Sequence, residues 1–174
     1  MAITLVATPK SATANTYALL ATANTYHESH VDASGVWAGA GDPDKNIALA
    51  MGTRLLDAKY RWGGTATDED QRLQWPRIGL LDFIERGSLD EDTIPAQIEE
   101  ATSELARLLL GADSTADLAQ SVQGLTGLKV GPIELKFKAF MSDSKPIPDS
   151  VRDLIPSWWG RLMGSGMIRP LIRA

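Results

Sequence analysis

The sequence predicts a mainly α fold: a small helical bundle with a long loop, a small β-strand or hairpin element and an extended C-terminal arm. Three observations carry this. Apolar residues recur at helical spacing over Ile47–Ala58 and again over Ile94–Leu109. The stretch from Arg61 to Thr93 has few periodic apolar residues. Only Ile133–Lys138, IELKFK, alternates strictly between apolar and polar side chains, the pattern of a strand with one polar face. A chain of 174 residues suits one domain. The reading divides it into a core over residues 1–147, with a short N-terminal arm, and a docking arm over 148–174.

Taken in order, Ile3–Ala7 is a short strand or extended arm, and Thr22–His30 a short helix whose one large apolar residue is Tyr26. Val36 and Trp37, between glycines, anchor a turn. The clearest helix start is Gly41-Asp42-Pro43-Asp44. Asp42 can cap free amides, Pro43 has a preset φ for the first helical position, and Asp44 complements the helix dipole. One stripe of this helix holds Ile47, Met51, Leu55 and Ala58, and a second holds Leu49, Leu56 and Tyr60. Apolar residues on two sides predict burial on two sides, which makes this helix central.

The helix ends near Tyr60, before Gly63-Gly64, and Arg61–Thr93 reads as mostly loop. A loop of about 30 residues is long enough to require a function. Thr93-Ile94-Pro95 opens the next helix, which turns Ile94, Ile98, Leu105, Leu108 and Leu109 to the core and Glu99, Glu100, Glu104 and Arg107 largely to solvent, and closes at Gly111. Ser142–Pro148 is a linker with two prolines, and Pro148–Ile155 fits one or two helical turns.

The chemistry the composition excludes is as informative. There are no cysteines, so disulfides and thiolate metal sites are ruled out, and synthesis in a reducing, intracellular place fits. The N-terminus lacks the basic start and length of a signal peptide, no apolar run reaches a membrane span, and a soluble protein is expected. His27 and His30 are the two histidines, spaced for one helix face, but no third ligand has fitting spacing, so no metal and no cofactor are expected.

Asp42-Pro-Asp44-Lys-Asn46 begins like a calcium loop, but Ile47 stands where the tight turn needs glycine and Thr53 where the loop needs glutamate. Asp68-Glu69-Asp70 and Asp90-Glu91-Asp92 read as solvated charge rather than magnesium ligands. No phosphate-binding glycine motif and no nucleophile elbow is present, and an enzyme is not expected.

Two aromatic stretches remain. YRWGGTATDEDQRLQWPR places Trp62 and Trp75-Pro76-Arg77 around a polar segment. The tail, SWWGRLMGSGMIRPLIRA, is apolar and basic at once, with Trp158, Trp159, Arg161, Met163, Met167, Ile168, Arg169, Leu171 and Arg173. Aromatics and arginine dominate interface hot spots, and this much apolar surface on a terminal segment implies a partner. Gly160, Gly164, Gly166 and Pro170 interrupt any membrane-lying helix. These residues are the candidate partner-binding set.

The order ANTYALLATANTYHESH, LLDAKYRWGG, DEDQRLQWPRIGL, IPAQIEEATSELARLLL and VGPIELKF resembles a tailed-phage family labelled DnaT-like single-stranded DNA-binding proteins, whose members look like head–tail connector, or head-completion, adaptor proteins. Its most specific pieces are Leu56-Asp57…Tyr60-Arg61-Trp62…Gly64, Gln71…Leu73…Trp75-Pro76-Arg77…Gly79-Leu80, and Ile94-Pro95…Ile98…Ala101…Glu104-Leu105-Ala106. The resemblance implies a structural virion subunit made in the bacterial cytoplasm. It would form a homo-oligomeric, dodecameric ring between the portal protein and the tail or a second connector, with DNA passing through the lumen without specific binding.

The net charge of −5 fits such a lumen, since a strongly basic lining would hold DNA by its phosphates. The alternative is a DnaT-like single-stranded DNA-binding replication protein. Arg54, Lys59, Arg61, Trp62, Arg72, Trp75 and Arg77 come nearest to the basic–aromatic pattern that role needs, but Asp57, Asp68, Glu69 and Asp70 lie among them.

Overall fold

The computed structural model describes residues 3–30, 35–82, 87–111, 127–130, 133–136 and 147–163. Its helices are α1 (Leu20–Glu28), α2 (Val36–Gly39), α3 (Asp42–Lys59), α4 (Ala96–Gly111) and α5 (Asp149–Arg152). Its strands are β1 (Tyr60–Trp62), β2 (Thr65–Ala66), β3 (Arg77–Ile78), β4 (Leu81–Asp82), β5 (Gly87–Ser88), β6 (Gly127–Val130), β7 (Ile133–Lys136) and β8 (Gly160–Leu162). They pair as four antiparallel two-stranded ladders, β1–β8, β2–β3, β4–β5 and β6–β7.

This is a small mixed α/β fold, and the expected mainly α bundle with a long loop is corrected by it. The stretch read as loop carries most of β1 and all of β2 to β5. Strands of two or three residues are too short to show an alternating pattern, so periodicity could not reveal them. The strand expected at Ile133–Lys138 is present as β7 over Ile133–Lys136; Phe137 and Lys138 lie outside the described residues.

α3 and α4 form the centre. α3 begins one residue earlier than expected: Gly41 is the N-cap and Asp42 lies inside the first turn, with Pro43 beside it. The predicted burial on two sides is only half realised. Leu49, Leu56 and Tyr60 are buried, but Ile47 is 47% exposed. On α4, Ile98, Ala101, Leu105 and Ala106 are fully buried, and the hydroxyls of Thr102 and Ser103 donate back to the carbonyls of Ile98 and Glu99, which lets two polar side chains sit inside the helix contact.

Two apolar clusters flank this pair. The smaller holds Ala18, Ala23, Trp37, Ala48, Leu49 and Ala106. The larger gathers Tyr17, Leu56, Trp62, Trp75, Leu105 and Trp159, among others. Ile147, Val151 and Ile155 also belong to the larger one, so the described part of the C-terminal segment is joined to the core.

Candidate functional site

The aromatic loop is built from the end of α3 outward. Tyr60 and Trp62 stack with ring centres 4.7 Å apart, Trp62 meets Trp75 edge-on at 5.5 Å, and Trp75 leans on Trp159 at 5.3 Å. Trp75 and Trp159 are 2% and 1% exposed. The Trp75–Pro76 peptide bond is cis. β8 closes over this row by pairing with β1, and the Met163 amide continues the ladder by donating to the Lys59 carbonyl.

Arg77 is buried and fixes the turn from inside. Its guanidinium donates to the carbonyls of Gly63, Gly64 and Gln74 and to the Gln74 side-chain oxygen. Gly64 has φ +61°, and a Cβ there would stand 2.2 Å from the Ile78 carbonyl oxygen. A Cβ on Gly160 would meet the Trp62 indole at 2.8 Å. Both glycines are therefore required by the closeness of the layers. Asp57 accepts hydrogen bonds from the Tyr17 hydroxyl and the Gln74 amide. Burial raises its carboxyl above the ordinary carboxylate value, with those hydrogen bonds working the other way.

The predicted partner-binding residues thus separate. Trp62, Trp75, Arg77 and Trp159 are interior side chains of the chain itself. Trp158, Met163 and Arg161 are exposed. Met167, Ile168, Arg169, Leu171 and Arg173 lie outside the described residues. The Trp158 and Trp159 indoles both donate to the Leu81 carbonyl oxygen, which sets exposed Trp158 beside Leu81, itself 54% exposed.

Sequence reasoning missed two features. A groove of about 520 Å³ runs between α2, α3 and α4, lined by Val36, Ile47, Met51, Leu109 and Leu110. Ile47 and Met51 carried a helical stripe, but nothing in the pattern says which of two stripes stays uncovered. The second is cationic. Arg61 and Arg161 face each other across β1–β8 and are both exposed, and no ion pair is recorded for either among the described residues. Like charges directly opposite repel, so this pair favours an anionic neighbour.

Across its whole length, residues 1–174, the sequence matches the family described as "Putative DnaT-like ssDNA binding protein". The chain belongs to that family. No curated protein and no solved structure matches it. Taken alone, membership of the DnaT-like family favours DNA binding over a structural connector. The stacking surface such binding uses must be sought elsewhere than in Trp62, Trp75 and Trp159, whose rings are covered. Among the described residues no helix is long and apolar enough to cross a membrane.

Proposed function

We propose that this DnaT-like chain is a structural adaptor of a tailed-phage particle, a non-enzymatic head–tail connector subunit that docks on other protein chains. The observation that carries this reading is the division of its aromatic and apolar side chains. Four of the five indoles are spent on the interior, while Val36, Ile47, Leu81, Trp158 and Met163 are left on the outside. Exposed aliphatic and methionine side chains suit a protein partner, and of these exposed groups only Trp158 offers a face on which a base could stack.

In this role the portal protein on one side and a tail or second connector protein on the other meet the exposed surfaces. Copies of the chain form a dodecameric ring at the head–tail interface of the virion, and DNA passes through without specific binding. The motif pieces around Trp62, Trp75 and Glu104 support the same reading through the resemblance they carry.

The second reading is single-stranded DNA binding, and two observations favour it: the family description itself and the opposed Arg61 and Arg161. Exposed Arg54 and Arg72 add to the cationic surface. One pair of measurements separates the readings. Native mass measurement of the full chain with and without the portal protein is expected to show a ring only on the portal. Binding to a single-stranded oligonucleotide at physiological salt is expected to be weak. Tight binding by the free chain, falling steeply as salt rises, overturns the adaptor reading in favour of the second.

A further inference from the structure

The fold brings a third ligating group, a carboxylate, to the two histidines near the end of α1. Ligand atoms of His27, His30 and Glu104 all lie within 4.8 Å of one another. His27 and Glu104 are buried, at 4% and 3% exposure, and His30 is half-buried. Glu104 comes from α4, 74 residues further along than His30, so spacing alone gave no sign of it.

The imidazole of His27 supplies a second, independent observation. Its Nε2 lies 3.0 Å from the Ser103 carbonyl oxygen, and a carbonyl can only accept, so Nε2 carries the proton. Nδ1 is then an unprotonated lone pair. It is buried and has no hydrogen-bond partner. A buried acceptor without a partner costs stability, and such atoms call for an explanation. A histidine that donates one N–H to a backbone carbonyl and keeps the other nitrogen buried and unpartnered, beside two further ligating side chains, has the form of a metal ligand held by its outer hydrogen bond.

We propose that His27 Nδ1, His30 and Glu104 bind one divalent transition-metal ion of the zinc class between α1 and α4. Two imidazoles and a carboxylate form a borderline donor set with no thiolate, which suits zinc better than calcium or magnesium. A tetrahedral zinc holds its ligand atoms about 3.3 Å apart. His30, the half-exposed member, is the ligand with most freedom to adjust from the observed separation.

Arg107 already donates to Glu104 through both Nε, at 3.1 Å, and a terminal nitrogen, at 2.6 Å. That leaves further lone pairs on the carboxylate, and it holds the group ionised. Tyr26 packs edge-on against both imidazoles, with ring centres 5.0 and 4.8 Å away, and walls the cluster on one side. Three protein ligands leave one coordination position for water.

The test uses the full chain without a polyhistidine tag, freed of metal by chelation and dialysis. Calorimetric titration with Zn²⁺ is expected to give one site per chain. At a hundredfold excess over the dissociation constant, Tm is expected to rise by roughly 5–10 °C. Co²⁺ in place of zinc is expected to give visible absorption bands of a four- or five-coordinate site. His30→Ala, which removes a half-exposed ring, is expected to fold as before and bind zinc at least tenfold more weakly. Glu104→Gln is expected to lose binding also, but His30→Ala decides alone if that variant fails to fold. Absence of saturable binding, or equal affinity in His30→Ala, overturns the proposal.

Discussion

The indole row beneath β8 and the groove between α2, α3 and α4 use side chains in opposite ways. The row is rich in the residue types that usually mark a binding surface, yet it is closed: Trp75 and Trp159 are almost wholly covered, and buried Arg77 spends its guanidinium on loop carbonyls. The groove is lined mostly by small and aliphatic side chains, ordinary core types, with Asp44 among them, and it is open. Residue type therefore predicted the role of neither. What separates them is whether another layer of the same chain arrives to cover the face. β8 covers the first, and no described element covers Ile47.

This contrast breaks most sharply at Trp159. Trp159→Ala leaves a hole where the indole met Trp75 and removes the hydrogen bond to Leu81, with an expected loss of about 3–5 kcal/mol. Urea denaturation of the variant beside the parent measures it, and a loss under ~1 kcal/mol would mean that β8 is not part of the core.

A smaller effect is expected at Asp57. Its folded-state carboxyl titrates above the ordinary value of 3.8, so the folded chain holds this proton more tightly than the unfolded one. The resulting stabilisation is complete below pH 3.8 and is lost as pH rises through the raised folded value. Asp57→Asn has no such proton, so its stability relative to the parent should improve as pH climbs through that window. Parallel melts across pH 3 to 7 (roughly the carboxylate range) would show it, and a constant difference would contradict it.

The least effect on folding belongs to the open groove. Ile47→Ser is expected to change stability by no more than ~0.5 kcal/mol, as for other exposed positions. If copies of the chain or another protein cover this face, the same variant should weaken that association in sedimentation. A large loss of stability in the free chain would show that the groove is closed in solution.

Much of the helical frame was legible beforehand. The Asp-Pro-Asp start of α3 and the periodic Ile98, Leu105 and Leu109 of α4 are local signals, and both helices formed within a residue or two of expectation. What the sequence hid was every contact made at long range. β1 and β8 are three residues each and become strands only by meeting one another. Glu104 looked like a solvent-facing residue of a charged stripe, but α1 packs against α4 and Glu104 is buried. The exposed Arg61 and Arg161 each looked ordinary, and only the register of the ladder sets them opposite.

That ladder also constrains how the molecule is made. Tyr60 waits for Leu162, so one edge of the seam is synthesised long before the other. Until the second edge emerges from the ribosome, Trp62 and Trp75 have no lid, and the nascent polypeptide carries wetted indoles beside an unpaired backbone edge. Closing so distant a pair is slow relative to forming α3 or α4. The interval in which this chain is most prone to stick to its neighbours, or most in need of a chaperone, therefore lies between the synthesis of β1 and that of β8.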